Sequence, residues 1–293
     1  MAGKKLQGIG LPGSGCEWFW PGEDCRVPLD DRGLAYADGL FETLRVNHQG
    51  PVLMAEHRAR LLHSAHQLEI PFGPTDFDEW QQQASQRGLL KCRAGNDQIL
   101  KITLTRGSGG RGYGRPEKPR PRVLTARLQA PPIPQGSVKA QLCRYPVQVA
   151  PHRAGLKTLE KLDQVMASRE LRGDVFEGLM PDSAGHIVEG TRSNLLLLLS
   201  DRHLVTPPSR SLAVQGTLRD WLIRELPTRG LRVRESALTL SMLKRAQGVA
   251  VVNSVFGVVP LAELDGVTLG QHPLLEDIRD WCAQQIGLAA GTT

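Results

Sequence analysis

The chain has 293 residues, of which 40% are hydrophobic and 23% are charged, and its formal net charge is +6. This composition is typical of a globular protein of up to two domains, and it excludes a disordered or fibrous chain. No apolar run approaches the roughly 20 residues that cross a bilayer, and the first residues lack the apolar stretch of a signal peptide. We therefore expect no membrane partner.

The cysteines are odd in number, widely spread and form no Cys-x-x-Cys pair; they are Cys16, Cys25, Cys92, Cys143 and Cys282. This pattern argues against a disulfide framework and against a zinc site. The histidines also show no metal-ligand spacing, so we predict no metal. Together these features favour a cytoplasmic location.

The first half of the chain predicts a small α/β domain over residues 17–128, preceded by an N-terminal extension, 1–16. Apolar alternation predicts strands near 17–20, 41–46, 98–105 and 122–127. Helical spacing predicts helices over 55–69 and 76–87, the second with Asp76 as its N-cap. The proline-rich stretch 129–137 is the best candidate for an interdomain linker.

The second half predicts a larger domain over residues 138–293. The predicted strands are 138–149, 175–180, 186–188, 193–199, 231–235 and 248–253. The predicted helices are 159–172, 239–246, one just after Gly216 and one from Pro273. We therefore assign the fold class α/β (α+β) with two domains.

Residues 106–122 concentrate the positive charge of the chain. They carry six lysines and arginines against Glu117, which is +5 of the total +6. An isolated stretch of this kind is similar to arginine–glycine tracts that bind RNA. Its place between two predicted strands favours a hairpin loop instead, and we predict no nucleic-acid partner. An RNA-binding module remains the alternative from a different functional class.

Lys157 and Glu189 are the most informative residues for chemistry. Lys157 stands at the mouth of a predicted helix, and Glu189 at the end of a predicted strand. A lysine amine can bind an aldehyde covalently, while a carboxylate can keep a pyridine nitrogen protonated. The two would suit opposite ends of pyridoxal 5'-phosphate. Lys161, one helical turn further on, is a rival for the lysine role.

Further residues could bind the phosphate of such a cofactor. Gly216 and Thr217 open a predicted helix, whose first N–H groups attract anions. Arg60 could contact the dianion with a bidentate guanidinium, and Asn253 and Ser254 could add another edge. Each also has an ordinary structural explanation: a solvated arginine, a helix start and a turn.

From about residue 17 to 265, the sequence resembles the fold-type IV pyridoxal-phosphate enzymes, the group of branched-chain and D-amino-acid aminotransferases. Its loop RGSGGRGY is most similar to the aminodeoxychorismate lyases of that group. The segments that carry the resemblance are DRGLAYADGLFETLRV (31–46), EHRARLLHSAHQLEI (56–70), LKITLTRGSGGRGYG (100–114), AGLKTLEKLDQVMASREL (154–171), IVEGTRSN (187–194), VQGTLRDWL (214–222) and VVNSVFGVVPL (251–261).

The resemblance implies that Lys157, and not Lys161, binds the cofactor, and that Glu189 faces the pyridine nitrogen. It assigns the phosphate to Arg60, to Thr217 with the Gly216 backbone, and to the pair 253–254. It also implies an active site between the two domains of a homodimer.

The resemblance places Arg111 and Tyr113 on a loop that reaches the substrate of a partner subunit, which favours a small-molecule dicarboxylate. Arg45 and Thr43, on a strand expected to line the pocket, are further substrate candidates, although Arg45 could equally form a surface salt bridge. The implied activity is a lyase releasing pyruvate and 4-aminobenzoate, a folate precursor. A branched-chain or D-amino-acid aminotransferase is the alternative.

Overall fold

The structure is a computed structural model that describes residues 15–288, in which two compact units are distinguished. The first unit extends to Ala130 and also takes in Lys157–Glu160; the second contains Pro131–Leu156 and the chain from Lys161 onward. Each unit combines a sheet with helices, which confirms the α/β prediction. The predicted N-terminal extension lies almost entirely outside the described residues.

The first unit is built on a four-stranded sheet in the order β1-β4-β3-β2, in which only the β1–β4 pair is parallel. Its strands are β1 (Glu17–Phe19), β2 (Gly39–Val46), β3 (Gln98–Thr105) and β4 (Arg122–Gln129). Its helices are α1 (Arg32–Tyr36), α2 (Met54–Gln67) and α3 (Pro74–Gln86).

Strand β2 separates the core of the first unit from a second face. Leu40 and Leu44 on one face are buried in a cluster with Leu61 of α2 and Trp80 of α3. Because side chains alternate along a strand, Glu42 shares this core face, while Phe41 points to the other side. A carboxylate therefore stands in an apolar core, where it must be paired to be tolerated.

The free edge of β2 is covered by the segment that carries Lys157. The Phe41 N–H donates to the Lys157 carbonyl at 3.0 Å, and the Leu159 N–H donates to the Gly39 carbonyl at 3.0 Å. This pairing corrects the predicted helix over 159–172, which is only α4 (Leu162–Ser168). Residues 159–161 of the predicted helix are not helical, and the Leu159 N–H bonds to β2 instead of to a helix carbonyl.

The second unit contains a nine-stranded sheet in the order β10-β9-β8-β11-β12-β5-β6-β7, with β13 paired to β12. The strands are β5 (Val138–Leu142), β6 (Val175–Pro181), β7 (Ile187–Gly190), β8 (Asn194–Ser200), β9 (His203–Thr206), β10 (Arg232–Glu235), β11 (Gly248–Asn253), β12 (Gly257–Leu264) and β13 (Val267–Thr268). The helices are α4, α5 (Thr217–Glu225), α6 (Leu240–Arg245) and α7 (Pro273–Gln285).

Two other sequence predictions need correction. Asp76 is not the N-cap of α3: the helix begins two residues earlier, and the Asp76 carboxylate accepts the Gly73 N–H at 2.8 Å. Strand β5 ends at Leu142 rather than 149, because the N–H groups of Arg144 and Tyr145 bond to the carboxylate of Glu170 instead of a neighbouring strand.

Among residues 15–288, no helix combines the length and apolar character needed to cross a bilayer. The five cysteines lie in the same part of the chain and form no disulfide there. Nor do the described residues contain three or more His, Cys, Asp or Glu side chains grouped to hold a metal ion.

Candidate active site

Lys157 is fixed in the first unit by its backbone pairing with β2 and by an aromatic contact. Its Nζ lies 4.4 Å from the centroid of the Phe41 ring, within the range of a cation–π interaction. Phe41 shares a strand face with Thr43 and Arg45, since their side chains alternate with those of the core. The structure therefore brings the predicted catalytic lysine to the face of β2 that carries both predicted substrate residues.

Glu42 is the centre of a buried charged cluster on the opposite face. Its side chain is 1% exposed. One carboxylate oxygen accepts the Arg60 Nε–H at 2.8 Å, and the other pairs with a terminal nitrogen of the same guanidinium. The His57 Nδ1 lies 2.6 Å from that second oxygen. We call these three residues the Glu42 cluster.

The protonation states of the Glu42 cluster follow from its burial and charges. Burial alone would raise the pKa of Glu42, but Arg60 and His57 lower this pKa to about 2. Burial lowers the pKa of His57; Glu42 opposes this shift, while Arg60 and Lys157 reinforce it. At neutral pH, Glu42 is thus ionised and His57 neutral, so the imidazole N–H donates to the carboxylate.

Arg60, the predicted phosphate residue, is oriented by this cluster. Two of its nitrogens contact the same carboxylate, so the plane of the guanidinium is fixed by Glu42. Its side chain is 12% exposed, which excludes the solvated-arginine explanation. The phosphate role itself stays a prediction.

Arg45 forms a salt bridge, although not on the surface. Its Nε donates to Asp97 Oδ2 at 2.7 Å, and its side chain is only 7% exposed. The ion-pair explanation therefore describes Arg45 in this structure, and its substrate role stays a prediction. Thr43 is half-buried on the same strand face.

Glu189 lies at the end of β7 in the second unit and is 3% exposed. Its Oε1 accepts the Gln164 side-chain N–H at 3.3 Å, and its Oε2 accepts the Val214 backbone N–H at 3.1 Å. These two contacts fix the position of the Glu189 carboxylate at the end of β7. The second of these bonds also links Glu189 to the predicted anion site.

The predicted anion site is built by Asn194 at the start of β8. Its Nδ2 donates to the Val214 carbonyl at 2.9 Å, so Asn194 and Glu189 hold the same peptide region. A Cβ on Gly216 would come within 2.0 Å of the Asn194 Oδ1, so a side chain at this N-cap would displace Asn194. Thr217, buried, begins α5 as predicted.

Asn253 and Ser254 lie at the same end of the sheet, since Val252 pairs with Asn194 across β11 and β8. The Asn253 Nδ2 donates to the Arg192 carbonyl at 3.0 Å, and its Oδ1 accepts the Val255 N–H at 2.9 Å. Asn253 thus holds two turns in place. Ser254 is 7% exposed.

The chemistry of these donors fits pyridoxal 5'-phosphate. The second unit offers a buried carboxylate for a pyridine nitrogen and a helix start for a phosphate. Because Gly216 has no side chain, a ligand could approach the backbone closely at that helix start, where a Cβ would not fit. The first unit offers the Lys157 amine for an aldehyde and the Arg60 guanidinium for the phosphate dianion.

Residues 106–122 form a hairpin connection, as predicted, because β3 and β4 are antiparallel with Thr105 opposite Arg122. The cationic charge is partly neutralised within the first unit. Arg106 pairs with Asp38, Arg122 with Asp31 and Glu17, and Arg115 with Glu69. The loop is therefore no continuous cationic strip of the kind an RNA-binding tract presents, and the RNA alternative loses support.

Arg111 and Tyr113, the predicted substrate residues, occupy the outer part of this hairpin. Arg111 is exposed, and the Tyr113 side chain is 86% exposed. The Tyr113 ring contacts Tyr36 of α1 edge to face, with 5.4 Å between ring centroids. The loop thus presents both side chains outward, while its inner side faces α1.

Sequence reasoning missed Glu42 and Asn194 as site residues. A signal for Glu42 was present: the alternation of Leu40 and Leu44 places it on the apolar face, where a charge needs a partner. The partners, 15 and 18 residues away on α2, follow no local periodicity. Asn194 gave no signal, because its contact with Gly216 is steric and distant in sequence.

The chain belongs to the amino-transferase class IV family, whose model matches residues 39–264. This family comprises fold-type IV enzymes, which use pyridoxal 5'-phosphate and act on small molecules. The predicted family and cofactor are thereby confirmed.

Several relatives show how this chain compares with individual members. The crystal structure of a 4-amino-4-deoxychorismate lyase from Pseudomonas aeruginosa is 32% identical, with a TM-score of 0.83 over 90% of this chain and 97% of that one. The aminodeoxychorismate lyase of Vibrio harveyi is 29% identical over 80% of this chain and 86% of its own length. The branched-chain-amino-acid aminotransferase of Escherichia coli K12 is 28% identical over 92% of this chain and 89% of its own.

Proposed function

We propose that this enzyme converts 4-amino-4-deoxychorismate to 4-aminobenzoate and pyruvate. The observation that carries the proposal is the likeness to the Pseudomonas aeruginosa lyase, which extends over nearly the whole of both chains at 32% identity. The loop 106–122, which resembles that of the lyases, supports the same choice. The folate pathway, a homodimer, a cytoplasmic location and the domain bounds 17–128 and 138–293 belong to this proposal.

The proposed reaction needs no oxidant, reductant or water. One proton leaves the amine-bearing ring carbon, the ring C–O bond to the enolpyruvyl group breaks, and the ring becomes aromatic. The departing enolpyruvate gains one proton and becomes pyruvate. The cofactor, when bound, accepts the electron pair that the leaving proton releases.

Lys157 would hold the cofactor through its amine, and the same amine is the proposed base for the proton of the ring carbon. Its backbone pairing with β2 holds the main chain still while the side chain moves. In this proposal, the same amine later delivers the proton to the departing enolpyruvate.

Glu189 is the proposed partner of the pyridine nitrogen. Its two donors, Gln164 and the Val214 N–H, bond to different carboxylate oxygens and so fix the plane of the group. Gly216, Thr217 and Arg60 are proposed to bind the phosphate.

A branched-chain or D-amino-acid aminotransferase is the second candidate, favoured by the likeness to the Escherichia coli aminotransferase over 92% of this chain. The two activities share the cofactor residues and differ in outcome. A transaminase leaves the cofactor in its amine form and needs a keto acid to restore it. A lyase restores the aldehyde form in every turnover.

The deciding experiment supplies purified 4-amino-4-deoxychorismate to the cofactor-loaded protein and measures pyruvate and 4-aminobenzoate. The proposal expects both products in equal amounts, with no keto acid added. A protein that forms neither product, but converts its cofactor to the amine form with branched-chain or D-amino acids, is the transaminase.

The assignment of the lysine is tested separately, with Lys161 as the matched control. Borohydride should fix the cofactor on the peptide that contains Lys157, as a mass gain that sequencing by mass spectrometry can place. Lys157→Ala should lose this adduct and all product formation, whereas Lys161→Ala should keep both. An adduct on Lys161 would reverse the assignment.

A further inference from the structure

Arg32, at the start of α1, makes an unusual set of contacts with the hairpin loop 107–121. Its terminal nitrogens donate to the carbonyls of three successive residues: Gly112 at 3.2 Å, Tyr113 at 3.1 Å and Gly114 at 3.1 Å. Its side chain is only 5% exposed. One guanidinium thus holds the inner side of the loop turn that carries Arg111 and Tyr113.

Arg32 is itself fixed from the opposite side. Its Nε donates to Asp38 Oδ2 at 2.8 Å, and Asp38 also accepts two bonds from Arg106, at 2.7 and 2.9 Å. Burial raises the pKa of Asp38, but Arg106 and Arg32 lower it below its usual value, so this carboxyl stays ionised. Arg32 is therefore held at the base of the loop by a permanently charged partner.

The Arg32 side chain also packs against Gly109 on the inner face of the loop. A Cβ on Gly109 would come within 2.8 Å of the Arg32 side chain. The Arg32 guanidinium also lies 5.0 Å from the centroid of the Tyr36 ring, which in turn contacts Tyr113. The inner face of the loop therefore packs against the Arg32 side chain.

We infer that Arg32 is the positioning residue of this loop and that it sets the affinity for the dicarboxylate substrate. This inference rests on the proposed function, in which Arg111 and Tyr113 contact the substrate. A mobile loop pays an ordering cost each time it binds, and a preorganised loop avoids that cost. Loss of Arg32 should therefore raise KM while leaving kcat and cofactor affinity nearly unchanged.

The sequence of the loop provides a direct reporter of its conformation. Residues 107–121 contain four basic residues, but Arg115, Lys118 and Arg120 each precede a proline. Trypsin cleaves poorly before proline, so Arg111–Gly112 is the one ordinary tryptic bond in the loop. Cleavage there gives fragments 1–111 and 112–293, and it requires the chain to leave Arg32, which holds the Gly112 carbonyl.

The experiment compares wild type, Arg32→Lys, Arg32→Ala and the control Arg122→Lys, all loaded with cofactor. Arg122 is also buried and paired at the loop base, but it bonds to Asp31 and Ser108, which lie outside residues 112–114. Arg32→Ala should increase the cleavage rate at Arg111–Gly112 and KM by about tenfold each, with kcat changed less than threefold. Arg32→Lys should fall between wild type and Arg32→Ala.

Two results would overturn the inference. One is an Arg32→Ala variant that keeps wild-type cleavage and KM. The other is an Arg122→Lys variant that is cleaved as fast as Arg32→Ala and has the same melting temperature as Arg32→Ala. That result would mean that the whole unit, and not the loop alone, had loosened. If the wild type releases no pyruvate, the proposed function fails on its own account, while the cleavage rates still test whether Arg32 holds the loop.

Discussion

The two units hold their predicted site residues in place by different physical means. In the first unit, side chains are held by buried charges: Arg60 by Glu42, and Arg32 by Asp38. In the second, the side chains of Glu189 and Asn194 hold the backbone at Val214 through hydrogen bonds to its N–H and its carbonyl. The first arrangement depends on ionised partners, so the loss of one partner should have a large effect on stability. The second depends on close packing, so the loss of one contact should have a smaller effect.

The largest effect expected from this difference is on stability. Glu42→Gln leaves Arg60 charged and without its carboxylate in a buried cluster, and should lower the free energy of unfolding by about 3 kcal/mol. Urea denaturation measures the free energy of unfolding of each variant. Asp78→Asn, which breaks the exposed Arg58–Asp78 pair, is the control and should cost less than about 1 kcal/mol. Equal losses in the two variants would mean that the Glu42 cluster stabilises the first unit no more than an exposed ion pair does.

The second effect tests the packing of the anion site. Gly216→Ala forces Asn194 from the Val214 carbonyl, since the new Cβ would lie within 2.0 Å of its Oδ1. We expect the dissociation constant of pyridoxal 5'-phosphate to rise about 30-fold, or roughly 2 kcal/mol. Gly136→Ala, where a Cβ meets nothing within 4 Å, is the matched control. An unchanged constant would place the phosphate elsewhere.

A smaller change should follow from the Thr217 hydroxyl. Thr217→Val keeps the shape of the side chain and removes one donor from the helix start, so cofactor affinity should fall about fivefold, near 1 kcal/mol. Thr217→Ser keeps the hydroxyl and should bind as the wild type does. If serine and valine weaken binding equally, the hydroxyl contributes nothing and only the methyl group matters.

The last expected effect is the dependence of stability on pH. Below about pH 6.5 the unfolded His57 takes up a proton that the native imidazole, with its lowered pKa, does not. Below about pH 4.5 the unfolded Glu42 is protonated, while the native carboxyl stays ionised down to about 2. Both differences favour unfolding as the pH falls.

Denaturation midpoints measured from pH 7 to pH 3 test this pH dependence. The wild type should lose stability along this range, and Glu42→Gln should lack the part that begins near pH 4.5. The gap between the two proteins should therefore narrow at low pH. A constant gap would mean that the pKa of Glu42 is not lowered in the native state.

The sequence predicted those elements whose patterns are local. Strand β3 was predicted with its observed bounds, and α5 begins after Gly216 because glycine and a helical apolar stripe mark that start. Strand β12 was missed, since Pro260 stands inside it where a proline argues against a strand. The end of β5 depends on the distant Glu170 and could not be seen locally.

The candidate site shows the same limit. The residue types at 157, 189 and 216–217 point to one cofactor, but the family resemblance was needed to rank Lys157 above Lys161. Neither the residue types nor the family resemblance could predict contacts between residues that are distant in the sequence. The bonds from Arg32 to loop carbonyls join residues about 80 positions apart. The segment 31–46, which contains Arg32, gave no indication of these bonds.

The Glu42 cluster also limits which substitutions can occur at its positions during evolution. Neither Glu42 nor Arg60 can be replaced singly without leaving the charge of the other without this partner in a buried cluster, whereas the neutral His57 contributes only a hydrogen bond to Glu42. Evolution must therefore change Glu42 and Arg60 together or leave both unchanged. We expect relatives that have lost the arginine to have lost the glutamate as well, so that the two residues are inherited as one trait.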